Sequence, residues 1–304
     1  MTKVLFRAAL VALGLTAATS AMAADADRLT LTLTPAVASE YYFRGISQTD
    51  GHPAYQLGGE GLFKINDTFS GYLGFWGSNV DFNNSVSIEA DLMGGFRATF
   101  DKLSLDAGVI SYNYLDQPTA ASTYDFIEYK LTAAYDFGFV IPSAGFYYSP
   151  NFQLDANTAT YLTAGVTVPI PVTEFDPKLI ANIGRQDIDK PDRFFGVTGS
   201  KDNYLDWNVG VFATFFGFTA GLQYVDTNIS KRQCGTSANC GPAAVLSVSR
   251  AFTFSSIVRS VRLPDRRHPL DGGGSFFGDM SQPSGAGGRN TPQRVDHQPQ
   301  VPRQ

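Results

Sequence analysis

Apolar and polar residues alternate along most of the chain, in segments of roughly 9–15 residues between positions 29 and 254. In the first segment, about 29–44, leucines occupy odd positions and threonines occupy many even ones. A period of two places apolar side chains on one face of a strand and polar side chains on the other. Segments of this length are typical of strands that cross a membrane. The pattern predicts an all-β chain.

The connections between these segments alternate between short and long. Short ones fall near 66–68, 101–102, 137–138, 170–176 and 216–217, and longer polar ones near 47–53, 79–85, 115–123, 150–158, 187–203 and 229–242. Outer-membrane barrels have short periplasmic turns and longer external loops. We therefore predict a transmembrane antiparallel up-and-down β-barrel of about 12 strands. A soluble β-sandwich also alternates in polarity, but its loops have no reason to alternate in length.

The two ends of the chain differ from the middle. Residues 1–23 read as a signal peptide, with Lys3 and Arg7 before an apolar run and Ala21-Met22-Ala23 as the cleavage site. Residues 24–254 form the predicted outer-membrane barrel, which places the protein in the bacterial outer membrane. Residues 255–304 lose the alternation and become rich in Gly, Pro, Gln and Arg. We interpret them as a disordered tail or as the product of a shifted reading frame.

Cys234 and Cys240 are the two cysteines of the chain. In an oxidising compartment a local disulfide between them is expected, and it would stabilise one loop by roughly 2 kcal/mol in the chain-entropy model. Five residues separate the pair, whereas a C-x-x-C redox motif has two. The spacing therefore favours a structural disulfide over redox chemistry.

The stretch "SEYYFRGISQTDGHPAYQ" at 39–56 resembles the signature of the TorF (Gcw_chp) family of outer-membrane porins. Further stretches that are similar to that family are "IEADLMGGFR" at 88–97, "YDFIEYK" at 124–130, "YLDWNVGVFATFFGFTAGLQYVDTN" at 204–228, and the cysteine pair before "LSVSRAF". The resemblance implies a barrel fold and a channel role. The tail departs from the family, whose members end near the last aromatic residue.

Charged residues on the predicted lumen side are the candidate functional residues. Arg44 closes the first segment on the same face as Glu40 and the threonines. Rings of charge can set the ion preference of a pore, and opposite charges can instead pair across strands and fix register. For Arg44 the pairing interpretation is favoured. The full set of pore-lining candidates is Arg44, Glu60, Lys64, Glu89, Asp91, Arg97, Asp106, Glu128, Lys130 and Asp206.

Enzymatic and metal-dependent functions have little support in the sequence. His52, in the first external loop, is the one histidine outside the tail, and no G-x-S-x-G, H-E-x-x-H or P-loop pattern occurs. Asp187, Asp189 and Asp192 could bridge lipopolysaccharide through a divalent cation, although a solvated acidic loop is the simpler interpretation. We predict no catalytic residue, no metal site and no cofactor. Aromatic residues expected to form girdles at the membrane interfaces are Tyr41, Phe43, Phe75, Trp76, Tyr147, Tyr148 and Trp207.

The predicted function is a porin, a passive diffusion channel for small solutes or ions, with a slight cation preference from the excess of acidic residues. A non-conducting barrel that serves adhesion or envelope structure is the alternative, and a barrel enzyme is the weaker one. Expected partners are outer-membrane lipid and lipopolysaccharide, the barrel-assembly machinery during biogenesis, and the solute itself. No interaction with nucleic acid is expected.

Overall fold

The computed structural model describes residues 28–118, 123–172, 174–234 and 239–255. The predicted signal peptide lies outside the described residues, and so does the predicted tail except for its first residue. Ser255 still belongs to a strand, where it pairs with Thr30.

Twelve long strands make up most of the described chain. In each strand, apolar and polar residues alternate. The strands are numbered in chain order. They are β1 Leu29–Ala38, β2 Ala54–Lys64, β3 Phe69–Asn79, β4 Ile88–Phe100, β5 Leu103–Tyr112, β6 Phe126–Tyr135, β7 Ile141–Ser149, β8 Ala159–Pro169, β9 Lys178–Ile188, β10 Asn203–Phe215, β11 Phe218–Thr227 and β12 Ala243–Ser249.

Four short strand pieces and three short helical segments complete the described elements. Tyr114–Leu115 continues the pairing of β5 with β4, and Phe252–Ser255 continues the pairing of β12 with β1. Tyr42–Phe43 and Ile46–Ser47 pair only with each other. The helical segments lie in loops and are Gln153–Asp155, Pro191–Phe195 and Lys231–Cys234.

The sheet is antiparallel throughout and closes on itself. Each strand pairs with its neighbours in sequence, and β1 pairs with both β2 and β12, with Val37 opposite Val248. Closure leaves no free sheet edge, so the strand hydrogen bonds satisfy one another around the ring. The predicted fold class, a closed 12-stranded antiparallel β-barrel, is confirmed.

The alternation of the sequence separates an apolar exterior from a polar and aromatic interior. On the outside, Leu73, Phe96 and Leu162 are 75%, 66% and 60% exposed. Their sequence neighbours point inward and are mostly buried, as Tyr72 and Tyr161 are. An exterior of large apolar side chains is stable where hydrocarbon replaces water. No described helix is long and apolar enough to span a membrane.

The two ends of the barrel are unlike. Five short turns and the two ends of the described sheet lie at one end, which we call the inner end, and six longer loops lie at the other, which we call the outer end. The positions of ten of the eleven connections agree closely with the sequence prediction, and the first outer loop begins eight residues earlier than predicted, at 39 instead of 47. This loop, 39–53, is different from the rest because it folds into the barrel, and we call it the inserted segment.

The prediction that the first strand runs to Arg44 is wrong. β1 ends at Ala38, and Tyr41, Phe43 and Arg44 are buried inside the barrel.

The prediction also placed Tyr41, Phe43, Trp76 and Tyr147 in the interfacial girdles, whereas all four are interior. Their rings pack against other aromatic rings there, which buries more apolar surface than the membrane interface would. Phe75 and Tyr148 are on the exterior, and Trp207 is half-buried between the inward-facing Asp206 and Asn208.

Candidate functional site: the closed interior of the barrel

The inserted segment enters the barrel through a tight hairpin. Tyr42 pairs with Ser47 and Phe43 with Ile46, so Arg44 and Gly45 form a two-residue turn. Both turn residues have positive φ, 49° and 75°. A type I′ turn requires positive φ at both central positions, and glycine adopts it without strain. The Arg-Gly dipeptide thus marks the tip of a hairpin rather than the end of a membrane strand.

Backbone hydrogen bonds attach the inserted segment to two other outer loops. The Ser47 amide donates to the Asn239 carbonyl at 2.6 Å, and the Asp81 amide donates to the Gln48 carbonyl at 2.8 Å. Asn239 adjoins Cys240, which forms the expected disulfide with Cys234. A Cβ added at Gly45 would overlap the Thr227 methyl group, so the hairpin tip also packs tightly against β11.

Arg44 connects the hairpin tip to the barrel wall. Its Nη2 donates to Glu128 Oε2 of β6 at 2.7 Å, and its Nη1 donates to Gln186 Oε1 of β9 at 2.6 Å. Both Arg44 and Glu128 are 1% exposed. Burial lowers the pKa of the Arg44 guanidinium, but the charge and hydrogen bond of Glu128 together with the nearby Tyr112 and Tyr161 outweigh it, so the pKa stays above its ordinary value and the group stays charged.

Aromatic rings complete the binding site of the guanidinium. Its carbon lies 4.1 Å from the ring centre of Tyr161, 4.7 Å from that of Phe43 and 5.4 Å from that of Tyr147. A desolvated cation over an aromatic face is stabilised by about 2 kcal/mol. Tyr161 can reach this position because Gly184 on the adjacent strand has no side chain. A Cβ atom at Gly184 would overlap the hydroxyl group of Tyr161.

Buried carboxylates surround Arg44. Tyr112 donates its hydroxyl to Glu128 at 3.1 Å, Tyr161 donates to Asp206 at 3.0 Å, and the Tyr41 hydroxyl lies 3.5 Å from Glu89. Glu89, Asp91 and Asp206 are each no more than 2% exposed. We call the group Arg44, Glu89, Asp91, Glu128, Gln186 and Asp206 the outer cluster.

Stacked aromatic side chains close the barrel above the outer cluster. The rings of Tyr112 and Phe126 stack with centres 4.1 Å apart, and Phe43 meets both edge-on. Phe152, from an outer loop, packs against Phe126 at 4.8 Å. The inserted segment therefore fills the outer half of the barrel with apolar rings and one paired cation. In this conformation the outer half is closed.

A second charged group lies in the inner half. Arg97 forms a two-point contact with Glu60 at 2.6 and 2.7 Å and also donates to Asp106 at 3.1 Å. Lys130 donates to Asp106 at 3.1 Å, and Tyr72 does so at 2.9 Å with its ring under the guanidinium. We call Glu60, Tyr72, Arg97, Asp106 and Lys130 the inner cluster. Its members all come from strands, and its two cations match its two carboxylates.

Nine of the ten predicted pore-lining residues lie in the two clusters. Lys64 does not, because it is at the inner rim, where it pairs with Asp67 at 2.7 Å and holds the pKa of that carboxyl below its usual value. Sequence reasoning missed Gln186 and the tyrosines at 72, 112 and 161. The alternation of the sequence predicts that these side chains point into the barrel. No sequence signal indicates that Arg44 would contact Gln186, which lies on a strand far away along the chain.

The other predicted candidates lie apart from the interior. His52 is mostly exposed, with Nδ1 3.1 Å from the Thr49 carbonyl oxygen and 3.9 Å from Asp81. Asp187 pairs with Arg185, Asp189 accepts from Asn157, and Asp192 accepts from the Ser200 amide, so each is engaged locally. Within the described ranges, no three His, Cys, Asp or Glu side chains form a group that could hold a metal ion.

The sequence belongs to the Gcw_chp family, described as a bacterial protein of unknown function, whose model matches residues 22–252. That match confirms the Gcw_chp part of the resemblance, and because the description states no function, the TorF designation and the porin role stay predictions. None of the curated proteins matches the sequence.

Solved barrels resemble this chain at low similarity. LpxR from Salmonella typhimurium is 10% identical, with 73% of this chain and 99% of that chain covered and a TM-score of 0.42. An outer membrane channel from Pseudomonas putida F1 is 12% identical, with 75% and 96% covered and a TM-score of 0.39. Salmonella typhi OmpF is 11% identical, with 76% and 99% covered and a TM-score of 0.38. At these scores the likenesses carry no functional argument, and the barrel assignment rests on the strand pairing.

Proposed function

We propose that the protein is an outer-membrane channel for small solutes or ions, closed in this conformation by the inserted segment. The proposal is supported by the way in which the inserted segment closes the outer half of the barrel. A filled barrel that serves only as a scaffold can be packed by wall side chains alone. Here the outer half is filled by a loop whose central hairpin pairs with itself and with no barrel strand, while Ser39 at the start of the loop hydrogen-bonds to Leu246 of β12. Such a loop can leave without breaking the sheet.

The apolar exterior supports the outer-membrane location, and the polar side chains of the inner half support a route for hydrophilic solutes. Asn182, Asn208 and Thr163 are buried polar side chains of the barrel interior, and Asn182 donates to Asn208 at 2.9 Å. The inner cluster balances its two cations against its two carboxylates, whereas the outer cluster holds four carboxylates beside Arg44, so the only ion preference we propose is the slight cation lean expected from the acidic excess.

A non-conducting barrel is the second candidate, and the buried Arg44–Glu128 pair favours it. Opening would separate a buried ion pair, and leaving one partner buried alone costs about 3–5 kcal/mol. If nothing offsets that cost, the barrel stays shut, and its function lies in its external loops.

Planar-bilayer recording of the refolded barrel distinguishes the two candidates. The channel proposal expects discrete current steps, with rare openings in the native chain and a reversal potential that shifts in a salt gradient. A heat-modifiable, β-rich barrel that inserts into the bilayer and passes no current under any condition would refute the channel proposal.

A further inference from the structure

The charges of the outer cluster do not balance. It contains four carboxylates, those of Glu89, Asp91, Glu128 and Asp206, and one cation, Arg44. Arg44 forms its ion pair with Glu128, and Asp206 accepts from Tyr161. Within the part of the chain that the structure describes, neither Glu89 nor Asp91 forms an ion pair. They occupy alternate positions of β4, so both side chains point into the barrel.

Asp91 is the least satisfied member of the cluster. It is 1% exposed, and neither of its carboxylate oxygens accepts a hydrogen bond of normal geometry from the described residues, although the backbone of Asn113 approaches it. Glu89 is equally buried, and its partners are two tyrosine hydroxyls, that of Tyr114 and that of Tyr41 at 3.5 Å. An ionised carboxylate buried without a partner is very unfavourable and neutralises instead. Two adjacent buried carboxylates cannot both ionise cheaply.

The side chains that face Glu89 and Asp91 cannot gain a positive charge that would neutralise the pair. Tyr41 faces it from the inserted segment, Tyr112 and Tyr114 face it from β5 and its extension, and Glu128, paired with the Arg44 guanidinium, faces it from β6. The phenols are neutral and the guanidinium is charged across the physiological range. Glu128 is held in its ion pair with Arg44, so Glu89 and Asp91 are the two carboxylates without a paired cation whose charge can change there.

We propose that Glu89 and Asp91 form a proton-binding site that controls the inserted segment. With the pair protonated, the segment stays inserted and the barrel is closed. As the pH rises, ionisation requires water to reach the pair, and the segment, which covers Glu89 through Tyr41, is displaced. The role of this site as a gate rests on the proposed channel function, whereas the coupling between protonation and insertion does not.

The sign of the effect follows from linkage. The inserted state binds more protons than the displaced state, so raising the pH favours displacement. For each proton released, the ratio of displaced to inserted molecules rises by at most about tenfold per pH unit. Closure is therefore strongest in acid.

Trp76 provides a readout that needs no current. Its ring centre lies 5.1 Å from that of Tyr41, so displacement of the inserted segment exposes it. Trp207 is the other tryptophan of the chain, and Trp207→Phe leaves Trp76 as the sole reporter. Acrylamide quenching of this variant is measured in lipid vesicles from about pH 5 to about pH 9, the range in which buried carboxyls titrate.

We expect quenching of Trp76 to increase with pH in the Trp207→Phe background. Adding Asp91→Asn should keep quenching low and remove most of the pH dependence, because an amide stays neutral. Glu89→Gln is the second variant, used with it so that one misfolded protein does not decide the outcome. Asp67→Asn, a matched change at an exposed turn, should behave as the background does. Heat-modifiable mobility on gels checks that each barrel is folded.

Quenching that is flat in the background, or that rises equally in folded Asp91→Asn and Glu89→Gln, would overturn the proposal. Parallel current recordings separate it from the channel hypothesis. Current with flat quenching refutes the proton site and retains the channel. Quenching that rises with pH while the barrel stays silent refutes the channel and retains the proton-controlled loop.

Discussion

The two charged clusters of the interior are built in different ways. The inner cluster takes every member from a strand and balances Arg97 and Lys130 against Glu60 and Asp106. The outer cluster takes Arg44, its one cation, from a loop, and Glu89 and Asp91 form no ion pair with any residue that the structure describes. A balanced network between strands fixes their register. The outer cluster is unbalanced and depends on one loop residue, and in our proposal it holds a movable part of the chain, the inserted segment. The inner cluster therefore stabilises the barrel, and the outer cluster controls whether the segment stays inserted.

Arg44→Met should have the largest effect and should fall on the outer half alone. It leaves Glu128 buried without its cation, which costs the inserted state about 3–5 kcal/mol. Trp76 should become accessible to acrylamide while the barrel stays folded by heat-modifiable mobility. Arg185→Met is the control, because the pair of Arg185 with Asp187 is exposed. Adding Glu128→Gln should restore part of the protection, and no change in Trp76 for Arg44→Met would count against the outer cluster as a latch.

Arg97→Met should produce the reverse pattern. Glu60 loses its two-point contact inside the wall, and we expect the free energy of unfolding to fall by about 3 kcal/mol, the low end for a broken buried pair, because Lys130 still neutralises Asp106. Urea unfolding of the lipid-embedded barrel measures the loss. Trp76 quenching under native conditions should stay as in the native chain. Increased quenching would mean that the two halves are coupled.

Removal of the disulfide should weaken the outer half by a smaller amount. The Cys234→Ala, Cys240→Ala double variant frees the loop whose Asn239 carbonyl accepts from Ser47. A small closed loop contributes about 2 kcal/mol. Limited proteolysis of the outer loops should become faster, and the urea midpoint of the barrel should change little. A large drop in that midpoint would show that the disulfide supports the whole sheet.

Two tyrosines allow the smallest and most closely matched comparison. Tyr112→Phe removes the hydroxyl donor to Glu128, and Tyr72→Phe removes the donor to Asp106. Each hydrogen bond to a charged group contributes about 1.5 kcal/mol. Tyr112→Phe should raise Trp76 quenching, and Tyr72→Phe should lower the stability to urea. Equal effects of both variants on both measurements would contradict the division between the halves.

Much of the wall was predictable from the sequence because a strand records its two faces in a period of two. The same parity that places Phe75 outside places Trp76 inside, and likewise Tyr148 and Tyr147. The girdle prediction failed where it ignored this alternation. The inserted segment was not predictable in this way, since Tyr41, Tyr42, Phe43 and Arg44 continue the alternation of β1. Only the glycine after Arg44 indicates a turn.

The partners of Arg44 could not be read from the sequence at all. Glu128 and Gln186 are 84 and 142 positions away along the chain. The alternation of each strand predicts that the Glu128 and Gln186 side chains point inward. Packing between loops decides where in the barrel the hairpin docks, and the sequence does not show this. Sequence therefore predicted nine of the charged interior residues while leaving open which of them pair.

Replacing the inserted segment by a two-residue turn tests the central claim most directly. Ala38 and Ala54 face each other across β1 and β2, so an Asn-Gly turn can join them without a change of register. The closure account predicts a folded barrel that conducts persistently in a planar bilayer, whereas the native chain opens rarely. A folded, inserted and silent barrel would contradict it.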